Sequence, residues 1–443
     1  MLDKLFKTIE KITPVKYRWI LSHNGFKRYF ANTGWMFFGQ MFSLLFSFFI
    51  GAWVARYLGP ENYGFFSYAI AFAGLFGFIS SLGVDGILSR ELISHPEKRD
   101  ELMGTTFILK IIGGTFAFFI TILAVFSFEG SNLVRFLTII YSLVFILQAV
   151  NVISIFFQAS VQAKKNIRTT LVATFISSIL KMVLIYFNVG IVWFMVVGVL
   201  DVLWQSLGLI ISYRASGLSV KIWTFNYLLA KKILSASWFL MFAAAFYFIY
   251  LRVDQVIIGM FLGGREVGLY SAAVKLVEVW SFIPGIICAS LFPAILNAKK
   301  TSPHIYKNRV IALYLLIGVV ALLIAIFSTI LAPWIINFLF GPSYLGAVNI
   351  LQVYVWSGIG LSFGWVINQY FLSEDRTHNI FLYNLLSMLA NVTLNLIFIP
   401  KFGLMGAAWA TLLSYSMGPI VVGVIWWLSS AKNKNVINNN LEN

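Results

Sequence analysis

The sequence predicts an all-α integral membrane protein, with about twelve transmembrane helices in two six-helix lobes related by a pseudo-two-fold axis along the membrane normal. Three observations carry this expectation: an apolar composition, a lopsided distribution of basic residues, and an internal repeat. Of 443 residues, 60% are hydrophobic and 11% charged, with a mean hydropathy of +0.87. A soluble domain carries about 25% charge.

A spanning helix needs about 20 apolar residues. Such stretches run near 34–54, 64–84, 105–125, 134–157, 170–187, 190–212, 235–261, 268–295, 310–331, 346–371, 380–399 and 403–428. The fifth is short, and only the turn residues Asn188 to Gly190 part it from the sixth; without that break every later helix would reverse direction. Ahead of the first span, Leu2, Leu5, Phe6, Ile9 and Ile12 keep helical spacing beside Lys4, Lys7 and Lys11 until Pro14, with Lys16 and Arg18 following. Residues 1–30 thus read as a cytoplasmic basic amphipathic leader lying on anionic lipid. They lack the apolar core and cleavage site of a signal peptide, so the first span is expected to act as the uncleaved signal.

A net charge of +16 would suggest nucleic acid in a soluble chain. Its placement says otherwise. With the N-terminus cytoplasmic, the outer side holds Arg56, Arg135, Arg265 and Lys401, the spans hold Lys110, Lys181, Arg252 and Lys275, and all the rest of the 32 basic residues fall on the cytoplasmic side. That is a strong positive-inside bias. It predicts cytoplasmic termini and no nucleic-acid partner.

Leu58–Phe72 aligns with Leu262–Leu276, with identities at 58/262, 59/263, 64/268, 67/271 and 69/273. Each copy occupies the turn between the first two helices of a six-helix half. Six is even, so the halves share one orientation, and transporters built this way place their site between the halves. The expected lobes are residues 31–215 and 216–443, with 213–233 the cytoplasmic linker.

The sequence offers no catalytic constellation. There is no G-x-x-x-x-G-K-[ST] loop to cradle phosphates. His23, His95, His304 and His378 are scattered, and the single Cys288 argues against a disulfide framework or a thiol metal site. The outer loops are short, the longest near Ala332 to Leu345, which counts against a membrane glycosyltransferase, polymerase or ligase.

What the chain does contain is charge inside its spans. Arg252, Asp254, Lys275 and Glu278 lie in the apolar stretch 251–292, where each charge costs roughly 3 kcal/mol or more at the bilayer centre. At about 1.5 Å rise per residue, Arg252 and Glu278 both fall about 15 Å below the turn, and Asp254 and Lys275 about 10–12 Å. Two ion pairs holding a hairpin together is one reading. Residues 275 and 278 share a helix face, but 252 and 254 point about 200° apart, so only one of that pair can face Lys275 and Glu278. The other needs a different partner or a wet cavity.

Lys181 and Asp201 lie near mid-depth and are expected to pair, and Lys110 reads as shallow enough to snorkel. Asp85, Arg90 and Glu91 read as orienting a cytoplasmic loop. Gln40, Asn151, Asn368, Gln369, Asn391 and Asn395 either line a polar path or bond between helices. Pro284, Pro293 and Pro419 suggest bends within spans.

Several segments resemble a known family. Ala55–Ser67 (ARYLGPENYGFFS), Leu82–Leu92 (LGVDGILSREL), Arg252–Ala294, Phe340–Val353 and Ile399–Ala408 are similar, in this order, to the motifs of the polysaccharide flippases within the multidrug/oligosaccharidyl-lipid/polysaccharide exporter superfamily. The resemblance implies a transporter of the cytoplasmic membrane, not an enzyme. Its substrate would be an O-antigen or exopolysaccharide repeat unit on a polyprenyl diphosphate, with membrane lipids and the polymerase and glycosyltransferases as partners. No cofactor is implied beyond coupling to H+, Na+ or the membrane potential. Arg252 and Lys275, with Lys181 third, are the expected substrate-binding cations. Asp254, Glu278 and Asp201 would be charge partners or coupling carboxylates. The matching first-half positions are Phe48, Ile50, Ala71 and Gly74, so the charge is one-sided. A drug exporter or a peptidoglycan-precursor flippase on the same fold, and a membrane glycosyl-transferring enzyme, stand as alternatives.

Overall fold

The computed structural model describes residues 24–374 and 377–439, and these form helices with no strand among them. The expected leader segment around Leu2 to Ile12 lies outside the described residues. Among the described residues, ten helices are long and apolar enough to cross a membrane: α1 (Phe37–Gly74), α2 (Pro96–Phe128), α3 (Asn132–Ala159), α4 (Ala163–Tyr186), α5 (Ile191–Arg214), α6 (Tyr227–Phe261), α7 (Gly264–Lys299), α8 (His304–Phe340), α9 (Ala347–Phe371) and α10 (His378–Pro419).

Ten continuous runs thus stand where about twelve spans are expected. The difference has a local cause. In α1 and α10 two helices are joined through a single glycine of non-helical backbone, Gly59 (φ 72°, ψ 168°) and Gly403 (φ 59°, ψ −140°). Gly263 between α6 and α7 (φ 102°) and Gly341 between α8 and α9 (φ 88°) also have positive φ. Gly59, Gly263 and Gly341 pair it with an extended ψ, a conformation essentially restricted to glycine, so one kind of tight turn recurs. The break between α4 and α5 stands where expected, at residues 187–190, with Asn188 at φ 52°.

Proline shapes two of the helices. α7 is interrupted at Ser281, just before Pro284, and divides into Gly264–Trp280 and Phe282–Thr301. α8 instead runs through Pro333 to Phe340, which turns most of the expected long loop 332–345 into helix. The carbonyl of Thr329 that Pro333 leaves without its backbone donor accepts the side-chain amide of Gln352 at 3.3 Å.

The chain packs as two compact units. The first comprises residues up to Ile50, Ile79–Ile120 and Ile140–Trp238. Its core gathers Leu88, Leu92, Met103, Ile153, Phe157 and Tyr213. The linker after α5 is pinned within this unit: Trp223 stacks edge-on against Phe107 and Tyr213 and donates to the Tyr213 hydroxyl at 3.2 Å, and the Asn226 N–H donates to Thr105 Oγ1 at 3.0 Å. Lys110 does not snorkel. Only 4% of its side chain is exposed, and it donates to Asp85 at 2.6 Å.

That ion pair is asymmetric, because the Asp85 side chain is 45% exposed. Removing Asp85 strands a buried ammonium, whereas removing Lys110 leaves a carboxylate that water can reach. Asp85→Asn is therefore expected to lower the melting temperature of the purified chain clearly more than Lys110→Met. Equal losses would contradict the asymmetry.

The second unit comprises Gly51–Phe78, Thr121–Ile139 and Phe239–Asn443. The two repeat turns meet inside it at a glycine crossing. A Cβ on Gly64 would overlap the backbone carbonyl of Gly264, and a Cβ on Gly268 would overlap that of Pro60. These contacts are reciprocal under the repeat, since 60 corresponds to 264 and 64 to 268. Above them Tyr344, fully buried, donates its hydroxyl to the Ala55 carbonyl at 2.8 Å and stacks edge-on against Tyr63. Burial pushes the Tyr344 phenol well above its ordinary pKa, so it remains a hydrogen-bond donor at physiological pH.

Candidate functional site

The hairpin of α6 and α7 positions the charges. Arg252 on α6 faces Glu278 on α7, with Nη2 2.8 Å from Oε1, and their side chains are 32% and 34% exposed. On α7, Lys275 is half-buried like Glu278, while Leu276 and Val277 between them and Val274 before them are buried. Residues 275 and 278 therefore share one stripe of the helix. Lys275 has no ion-pair partner among the described residues.

Asp254 turns the other way, as its spacing from Arg252 requires. Its side chain is buried and accepts the Tyr270 hydroxyl at 2.6 Å and the Gln255 N–H at 2.7 Å. The Tyr270 hydroxyl also lies 3.2 Å from Thr411 Oγ1. A second ion pair between Asp254 and Lys275 does not form, and the hairpin face keeps two cations against one carboxylate. Tyr270 went unrecognised in the sequence, where it reads as one more aromatic in a packed helix. The signal was available: 270 lies sixteen residues beyond 254, across a turn centred on 262–263, which places it at Asp254's depth.

In the first unit Asp201 accepts the Ser177 hydroxyl at 2.8 Å. Ser177 is one helical turn before Lys181, so Asp201 reaches the helix face that carries that lysine. Of the amides, Asn391 donates to Ser414 at 2.9 Å and Asn395 donates to the Asn391 carbonyl at 2.9 Å, both fully buried. Asn391 thus bonds across the Gly403 turn, while Asn395 bonds back within its own helix.

The model of a polysaccharide biosynthesis protein family matches residues 29–299, more than half of the chain and including the whole α6–α7 hairpin. The chain belongs to this family. Among its relatives, a probable flippase, AglR, from Haloferax volcanii is 26% identical over 258 residues, covering 56% of this chain and 51% of that protein. A probable low-salt glycan biosynthesis flippase, Agl15, from the same organism is 24% identical over 39% of this chain and 37% of its own length. The chain thus spans about half or less of the relatives it matches.

Among solved structures, the fold of this family member is similar to an inward-facing multidrug resistance MATE family transporter of the MOP superfamily. The TM-score is 0.70 at 15% identity, over 88% of this chain and 96% of that one. It is similar also to the lipid II flippase MurJ in an inward closed conformation, with TM-score 0.67 at 15% identity over 86% and 85%. At these identities the likeness is one of fold, and it bears out the expected all-α membrane architecture with its two lobes.

Proposed function

We propose that the chain is a flippase. It carries a polyprenyl-diphosphate-linked oligosaccharide repeat unit from the cytoplasmic to the outer leaflet of the cytoplasmic membrane, for surface polysaccharide synthesis. The observation that supports this most is the α6–α7 hairpin, where Arg252, paired with Glu278, and Lys275, with no ion-pair partner among the described residues, both stand half-open. An excess cation in an apolar helix is costly, and an anionic head group offsets that cost. A lipid diphosphate supplies it. Family membership and the flippase names of the relatives point the same way.

Transport proceeds by alternating access of the two lobes, 31–215 and 216–443, with both termini cytoplasmic and the polyprenyl tail remaining in lipid. Lys181 is a third, weaker cation, and Asp201 and Asp254 keep structural or coupling roles. An inside-negative potential drives the head group outward, contributing about 2.3 kcal/mol per negative charge per 100 mV.

The test uses vesicles holding the purified full chain and polyprenyl-diphosphate-linked glycans extracted from the source cells. The expected result is protein-dependent movement of glycan to the opposite leaflet, read by membrane-impermeant periodate, with the lipid's mass unchanged. A changed mass would make the chain an enzyme. Uptake of amphiphilic cations without glycan movement would make it a drug exporter.

A further inference from the structure

Within the second unit, α6, α9 and α10 line an open cavity of about 400 Å³, a size typical of small-molecule sites. We infer that this cavity is the subsite for the sugar rings of the transported lipid, held as uncharged carbohydrate by aromatic faces and side-chain amides. The inference rests on the flippase reading and adds to it where the glycan sits.

The lining decides the ligand class. Among the described residues no Asp, Glu, Lys or Arg borders the cavity, so an ion entering it would meet no opposite charge there to offset its lost hydration. Tyr247, Trp365 and Tyr383 supply apolar ring surface, and Asn368, Gln369 and Asn384 supply amides. Each amide offers two donors and an acceptor oxygen. A pyranose ring has the matching character: patches of C–H on its faces and hydroxyls around its rim that both donate and accept. A planar cation would be drawn to the rings but would find no carboxylate here.

The polar groups are available. Asn368 donates one N–H to the Gly364 carbonyl at 3.0 Å, while the amides of Gln369 and Asn384 have no hydrogen-bond partner among the described residues. Both side chains are half-buried, so the hydroxyls of a bound sugar can take the place of water on them. Small residues open the space, notably Ala243, Ala244 and Gly364, and a Cβ on Gly364 would come within 3.1 Å of the Tyr383 hydroxyl.

The cavity lies close to the charged hairpin along the chain. Tyr247 precedes Arg252 by five residues, about 7 Å along the helix axis and about 140° around it. A lipid whose diphosphate is held at Arg252 and Lys275 would extend its sugars around α6 to reach the rings and amides of the cavity.

The experiment compares two lipids in vesicles containing the full chain: the extracted polyprenyl-diphosphate-linked glycans and bare polyprenyl diphosphate, read by impermeant periodate and impermeant phosphatase respectively. The wild type should move the glycan-bearing lipid faster. Tyr247→Ala and Asn384→Leu should each slow it on the order of tenfold while leaving the bare lipid nearly unchanged. Asn384→Gln should retain most of the preference, and all variants should match the wild type in melting temperature. A preference that survives both substitutions, or equal slowing of the two lipids, overturns the sugar subsite while leaving the flippase reading intact. A wild type that moves neither lipid overturns both.

Discussion

Placing a side chain on Gly64 or Gly268 is expected to abolish export while the chain still reaches the membrane. Each glycine faces backbone across the crossing, Gly264 opposite Gly64 and Pro60 opposite Gly268. Backbone cannot rotate out of the way as a side-chain tip can, and packed interiors respond to such an overlap by moving whole elements. If the two repeat turns close and part during transport, Gly64→Leu will hold them apart and Gly64→Ala will do so partially. A cysteine reports the opening. Cys288 is the sole native cysteine and is buried, so Cys288→Ala clears the background. Ser271, one turn beyond Gly268 and 5% exposed, becomes the probe as Ser271→Cys. The probe should resist an impermeant maleimide in the otherwise wild-type chain and react once Gly64→Leu is added. Loss of abundance in place of labelling would mean that the crossing is permanent packing rather than a moving seam.

This crossing shows how far the sequence could be read. The alignment of Leu58–Phe72 with Leu262–Leu276 located both turns, because turn glycines leave a mark that needs no tertiary information. That the two copies touch each other depends on how distant segments pack, and no local pattern carries it. The same holds for the charges. Helical rise put Arg252 level with Glu278, and angular spacing showed that only one of Arg252 and Asp254 could face that side, but which of them does so was left to the packing. The Tyr270 hydroxyl as Asp254's donor was missed because tyrosine serves equally well as packing.

Lys110 was misread for a different reason. It lies only about five residues inside the expected span, shallow by count, yet neighbouring helices cover its side chain and it donates to the half-exposed Asp85. Which helix face is covered depends on packing, and a depth count does not carry it. The boundary glycines Gly59 and Gly403 marked the turns, and there the backbone does leave the helical region.

The second large effect separates binding from structure at the hairpin. Arg252→Ala and Lys275→Ala should each reduce export of the glycan lipid on the order of a hundredfold, as expected when one partner of a charge-assisted contact is removed. Their effects on folding should differ. Arg252→Ala leaves Glu278 without its ion-pair partner and lowers the melting temperature, although the one-third exposure of both side chains keeps that loss below the 3–5 kcal/mol typical of a fully buried pair. Adding Glu278→Ala removes the stranded carboxylate, so the double variant should recover much of the lost stability while export stays absent. Lys275→Ala breaks no ion pair and should melt like the wild type. Hairpin glue makes the opposite forecast: stability and export would fall together in Arg252→Ala and return together in the double variant, and Lys275→Ala would export normally. The melting curves and export rates of these three variants decide whether the cations serve the lipid head group or the hairpin, because substrate binding alone requires export to remain lost after stability has been restored.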